Sequence, residues 1–122
     1  MTARAEKLQR LNAVAVLKRD TESQALAAIN GEIHELNLQV RRLRKILRLR
    51  SRDLELDPSR LSGADVSWVR RTEQQINALQ RGIAAKMAER EARLDTARTA
   101  VGRAQAVQAL VARELKPRRR WE

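Results

Sequence analysis

Between Leu26 and Leu54 an aliphatic residue recurs at every seventh position: Leu26, Ile33, Val40, Leu47 and Leu54. Ile29, Leu36 and Leu43 each follow three residues after the first three of these. This 3-4 spacing over four heptads is the a/d seam of a coiled coil, since a 3.5-residue repeat keeps one stripe of an α-helix turned toward a partner helix. Arg50 interrupts the stripe at a d position. Upstream of Thr21, Leu8, Leu11, Val14 and Leu17 shift face relative to the later seam, which predicts a local stutter.

The second half of the chain repeats the pattern. Val66, Met87, Leu94, Val101 and Leu115 share one heptad position with Glu73, Gln80 and Gln108. Val69, Ile76, Ile83, Ala97, Ala104 and Val111 share the other, with Arg90 as the exception. Alanine at d lets two helices approach closely and buries less area. Between the halves, Asp57-Pro58-Ser59-Arg60-Leu61-Ser62-Gly63 gathers turn-forming residues, and Pro58 has no N–H to continue a helix. Ser62 or Gly63 is positioned to cap the following helix, with Asp65 in its first turn.

The predicted elements are helix 1 over about 2–56, a loop over 57–63, helix 2 over about 64–116 and a basic tail over 117–122, all in one domain. Folding the halves about residue 60 brings Leu54 opposite Val66, Leu43 opposite Ile76, Leu36 opposite Ile83, Ile33 opposite Met87, Leu26 opposite Leu94 and Leu8 opposite Val111. The expected fold class is all-α: a long antiparallel two-helix coiled-coil hairpin. Each arm would run about 80 Å at 1.5 Å per residue, as a thin rod with both chain ends at one tip.

Composition agrees. Of 122 residues none is Cys, Tyr or Phe, so a disulfide framework, cysteine-based zinc and thiol chemistry are excluded, and the only aromatics are Trp68 and Trp121. A charged fraction of 34% with only two prolines is that of long helices. No run of about 18 apolar residues is available to cross a membrane, and Met1 to Lys7 lacks the apolar stretch of a secretory signal. The expectation is a cytoplasmic protein. No catalytic constellation stands out: His34 lacks convergent partners, Glu32, His34 and Glu35 are too badly phased for a metal site, and the isolated glycines build no phosphate loop. A non-enzymatic protein without metal or cofactor is expected.

The formal net charge of +11 makes partners the central question. Arg41 to Arg52 carries seven positive charges in twelve residues and no acid. A solvated face with a protein contact, nucleic acid and anionic membrane are the open readings. Aliphatic residues fall outside the seam as well. Leu38, Arg42, Lys45, Leu49 and Leu56 form a predicted outward stripe on the first helix, and Trp68, Thr72, Gln75 and Leu79 a matching one on the second. Such a stripe suits a partner or self-association, because tryptophan and arginine are favoured interface anchors. At the other end Pro117 stops the helix, and Arg118, Arg119, Arg120 and Trp121 would lie beside Arg4, Lys7 and Arg10.

These features together resemble the FliJ-type proteins of the bacterial flagellar export apparatus and their YscO-type relatives in injectisome type III secretion. The resemblance rests on the opening Ala5-Glu6-Lys7-Leu8-Gln9-Arg10-Leu11, on a small, basic, cysteine-free helical hairpin, and on the charged close Ala112-Arg113-Glu114-Leu115-Lys116-Pro117-Arg118-Arg119-Arg120-Trp121-Glu122. It is one of architecture and composition over nearly the whole chain, with no unique motif.

The resemblance implies a central stalk for the hexameric export ATPase, located in the cytoplasm and peripheral to the inner-membrane export apparatus. The end carrying both termini would sit in the ATPase ring, the loop-side half would contact the export-gate membrane protein, and secretion chaperones are further implied partners. By place on the rod, Arg4, Lys7, Leu8, Arg10, Arg113 and Arg118 to Trp121 fall at the ATPase end. Leu38, Arg42, Lys45, Leu49, Trp68, Thr72, Gln75 and Leu79 fall at the gate end. The alternatives are a nucleic-acid-associated coiled coil and a small secretion chaperone or scaffold.

Overall fold

A computed structural model of the chain describes residues 2–56 and 63–116, the side chains of Leu54 and Leu56 excepted. It holds two helices, α1 (Ala3–Leu56) and α2 (Gly63–Leu115), packed against each other as an all-α hairpin. Their bounds match the predicted 2–56 and 64–116 within one residue. The expected loop over 57–63, apart from Gly63, and the tail over 117–122 lie outside the described residues. Gly63 is the first residue of α2, with Asp65 in the positively polarised first turn. Thr2 caps α1: its Oγ1 accepts a hydrogen bond of 3.0 Å from the Ala5 N–H, and its carbonyl accepts one of 3.0 Å from Glu6 N–H.

The chain divides into two compact units, each built from a segment of both helices. The terminal unit comprises Met1–Ala28 and Arg90–Glu122, and the central unit Ile29–Glu89. In each the helices run antiparallel. Arg4 pairs with Glu114 at 3.6 Å and Glu22 with Arg93 at 3.8 Å in the terminal unit. Glu32 pairs with Lys86 at 2.6 Å, and Arg50 with Asp65, in the central unit.

The central unit holds the aliphatic core. Ile29, Ile33, Val40, Ile76 and Ile83 are buried, and Leu36, Leu43, Leu47 and Leu79 pack against them. The residues on α1 are the predicted a and d positions. On α2 only one of the two predicted rows is confirmed. Ile76 and Ile83 are buried, but Val66 and Met87 of the other row are exposed, as are Glu73 and Gln80. The second inward row lies one residue earlier in each heptad, at the buried Thr72 and the half-buried Leu79 and Lys86. That rotation has a physical cause. The expected row would have to dehydrate Glu73 and Gln80 without partners. Thr72 satisfies its own hydroxyl by donating to the Trp68 carbonyl at 2.9 Å, and Lys86 carries its charge out to Glu32 and to Glu89 at 3.4 Å. Ile33 therefore lies opposite the Lys86 row rather than the Met87 row.

The terminal unit departs further from expectation. There is no stutter in α1: the heptad continues toward the N-terminus through Leu26, Arg19, Asn12 and Ala5, and through Glu22, Ala15 and Leu8, all buried or half-buried. Leu11, Val14 and Leu17 lie outside. In α2, Ala97 and Ala104 are buried as predicted, joined by Ala100, while Leu115 and Gln108 are exposed. Among the described residues of this unit, every fully buried side chain is an alanine except Glu22.

Two sets of substitutions test this packing. Ile83→Ala removes a buried branched side chain from the central core and is expected to cost about 2–5 kcal/mol in urea unfolding followed by circular dichroism. Gly31 and Gly102 sit in helix interiors with open space where a Cβ would go and no left-handed φ. Gly31→Ala and Gly102→Ala should each raise stability by about 0.5–1 kcal/mol in the same assay.

Candidate docking faces

The terminal unit inverts the usual distribution of large and small apolar residues. Ala104 is 0% exposed, whereas Leu11, Val14 and Leu17 are 50%, 64% and 67% exposed. Leu11, Val14, Ala15 and Lys18 of α1, with Ala100, Arg103, Ala106 and Val107 of α2, line an open groove. Leu110 is exposed on α2 in the same unit. Each aliphatic side chain left in water forgoes up to about 1.5–3 kcal/mol of burial. The groove is thus an apolar strip with a cation from each helix, Lys18 and Arg103, in its lining.

Of the residues assigned to this end from sequence, Arg4, Lys7, Arg10 and Arg113 are exposed, Arg4 being ion-paired to Glu114. Leu8 is half-buried at a d position of the seam, so it holds the helices together rather than presenting an outer contact. Arg118, Arg119, Arg120 and Trp121 lie outside the described residues. Leu11, Val14 and Leu17 are the residues that sequence reasoning placed on a shifted seam. The period of the seam downstream, extended without a break, turns them outward.

Beneath the groove the seam is polar. Glu22 is buried, its Oε1 2.8 Å from Lys18 Nζ and its Oε2 3.8 Å from Arg93 of α2. The hydrogen bond from Lys18 lowers the Glu22 pKa from its ordinary 4.5. Burial opposes that shift, and the charges of Lys18 and Arg93 add to it. Asn12 Oδ1 is also buried and accepts no hydrogen bond among the described residues. A polar residue at an a position fixes register at some expense of stability.

In the central unit the predicted outward stripe divides. Thr72 is buried and Leu79 packs on the aliphatic core, so both belong to the seam. Leu38 and Trp68 are half-buried. Arg42, Lys45, Leu49 and Gln75 are exposed. Arg42, Gln75 and Leu79 come together in a groove completed by Gln39, Leu43, Ile46 and Ala78. Ile46, which sequence reasoning did not single out, is exposed there. His34 is exposed on α1, and no group of acidic or histidine side chains suited to a metal ion occurs among the described residues.

No family model, curated protein or solved structure matches this chain.

The Glu22 pairing has a pH consequence with a defined sign. Because the folded carboxyl has the lower pKa, its stabilisation is complete above the ordinary value of 4.5 and is lost as pH falls through the lowered one. The melting temperature of the full chain should fall across that acid range, and Glu22→Gln should flatten the fall. Melting curves at stepped pH check both.

Proposed function

We propose that this chain is a non-enzymatic helical-hairpin adaptor that docks a protein partner through the outer apolar face of its terminal unit. The observation that carries this reading is the exposure of Leu11, Val14 and Leu17 in a unit whose buried side chains, among the described residues, are four alanines and Glu22. A helix pair that leaves several large aliphatics outside while burying alanines gives up core stability and retains an apolar surface that a partner helix is able to cover. Arg103 beside that surface favours a partner with an acidic residue flanking its own apolar stripe, Lys18 being already paired with Glu22.

The resemblance to FliJ-type and YscO-type proteins supplies a specific partner. In that reading the chain is a stalk that engages the hexameric export ATPase of type III protein export through the unit containing both chain ends. It reaches the export gate through the central unit, in the cytoplasm beside the inner membrane. Two unbroken helices of more than fifty residues suit a part that conveys position between partners.

The test is co-purification of the full chain with a hexameric export ATPase, together with ATP turnover. The chain should bind the ATPase and raise its turnover. Leu11→Ser combined with Val14→Ser should weaken binding by tenfold or more while leaving helix content unchanged, since both side chains are exposed. A fully helical chain that leaves the ATPase unbound removes the stalk reading. Undiminished binding by the double variant removes the assignment to this face.

A further inference from the structure

We infer that the outward face of α1 between Arg41 and Arg52 is a docking surface for an anionic lipid bilayer. The inference is independent of the terminal-unit partner, because it rests on central-unit residues, and it assigns Arg42, Lys45 and Leu49 to a lipid surface in place of the gate protein that the resemblance implies for them. From Leu36 to Arg52 the chain contains no acidic residue. Arg41, Arg42, Arg44, Lys45, Arg48 and Arg52 are all exposed. Among the described residues, only Arg50 of this run is held in an ion pair, with Asp65.

Helical spacing sorts these side chains into two adjoining rows. Residues 41, 45, 48 and 52 form one row, entirely cationic and about 16 Å long. Residues 42, 46 and 49 form the next, where Ile46 and Leu49 are 48% and 53% exposed. Leu47 lies among Arg41, Arg44, Lys45 and Arg48 in a shallow depression. Like charges at i,i+4 repel along a helix, and two aliphatic side chains beside them are left in water. One environment relieves both penalties together: an interface with anionic headgroups at its surface and hydrocarbon just beneath. The long basic side chains reach the headgroups while their stems lie along the apolar layer.

The same features weigh against other polyanions. Single-stranded nucleic acid is held by stacking on aromatics, and the chain's only aromatics, Trp68 and Trp121, lie outside this run. Phosphate backbones offer nothing for Ile46 and Leu49 to bury against. A stereospecific protein contact calls for oriented guanidinium groups. Among the described residues the six exposed cations have no ion pair to orient them, which suits a fluid, laterally averaged charged surface, although Arg48 and Arg52 share a groove with Glu55 and Glu73. No helix of the described residues is long and apolar enough to cross a membrane, so the contact is peripheral.

The experiment is co-sedimentation of the full chain with vesicles of phosphatidylcholine alone and of phosphatidylcholine with roughly one third phosphatidylglycerol, at about 0.15 M salt. The chain should sediment with the anionic vesicles only. Arg41→Gln, Lys45→Gln and Arg48→Gln together should reduce binding about a hundredfold, each basic residue near an anionic leaflet being worth roughly fivefold. Ile46→Ser with Leu49→Ser should reduce it by about tenfold at unchanged charge. Circular dichroism confirms that the variants remain helical. Three results overturn the inference: a fully helical chain that fails to sediment with anionic vesicles, equal binding to both vesicle types, or an Ile46/Leu49 variant that binds like the parent. Tighter binding to duplex DNA than to anionic vesicles at the same salt assigns the face to nucleic acid and overturns it too.

Discussion

Everything else in this molecule depends on the packing of Ile29, Ile33, Val40, Ile76 and Ile83 in the central unit. Branched aliphatic residues on facing helices interlock in only a few rotational settings, so their burial fixes which side of each helix is inside. Within the terminal unit the same constraint acts with weaker material: Asn12, Arg19 and Glu22 occupy inward positions of α1, while Leu11, Val14 and Leu17 are exposed.

The two units differ in what holds them together. The central unit has an ordinary aliphatic core. The terminal unit holds itself together with alanines, a few half-buried aliphatics and the buried carboxylate of Glu22 between Lys18 and Arg93. Alanines bury little area, so this unit gains less from packing and leaves more apolar surface outside. Charge does not divide in that way. The terminal unit carries 14 basic and 7 acidic residues and the central unit 12 and 8, net +7 and +4 of the total of +11. What sets the central unit apart is that seven of its basic residues are gathered between Arg41 and Arg52 with no acid among them.

Much of the fold was legible in the sequence because a heptad is a strong and local signal. The row of Ile29, Leu36 and Leu43 on α1 and that of Ile76, Ile83, Ala97 and Ala104 on α2 are visible by spacing alone, and the turn residues around Pro58 mark the ends of both helices. The second row of α2 was not legible. Rows three and four residues from Ile76 flank it equally, and Val66 and Met87 favoured the wrong one for the central unit by hydrophobicity, although Leu94 and Val101 farther along are half-buried as expected. The cost of dehydrating Glu73 and Gln80, and the ability of Thr72 to satisfy its own hydroxyl, decided the other way. Leu11, Val14 and Leu17 misled for the same reason: hydrophobicity argues for burial, while helical phase forbids it. The candidate faces were legible only in part. Lys45 and Leu49 are exposed as expected, Leu79 is not, Leu8 is half-buried at the seam position expected opposite Val111, and the basic tail lies outside the described residues.

The helical phase of the terminal unit is the central claim, and the absence of native cysteine makes it directly measurable. Single substitutions Val14→Cys, Leu17→Cys, Ala97→Cys and Ala104→Cys can each be labelled with a thiol reagent under native conditions. Cysteines at 14 and 17 should react at nearly the rate of a free thiol, and those at 97 and 104 should be slowed by a hundredfold or more. Protection at 14 and 17 with rapid labelling at 104 would show that the helices pack on the opposite face and would contradict the account.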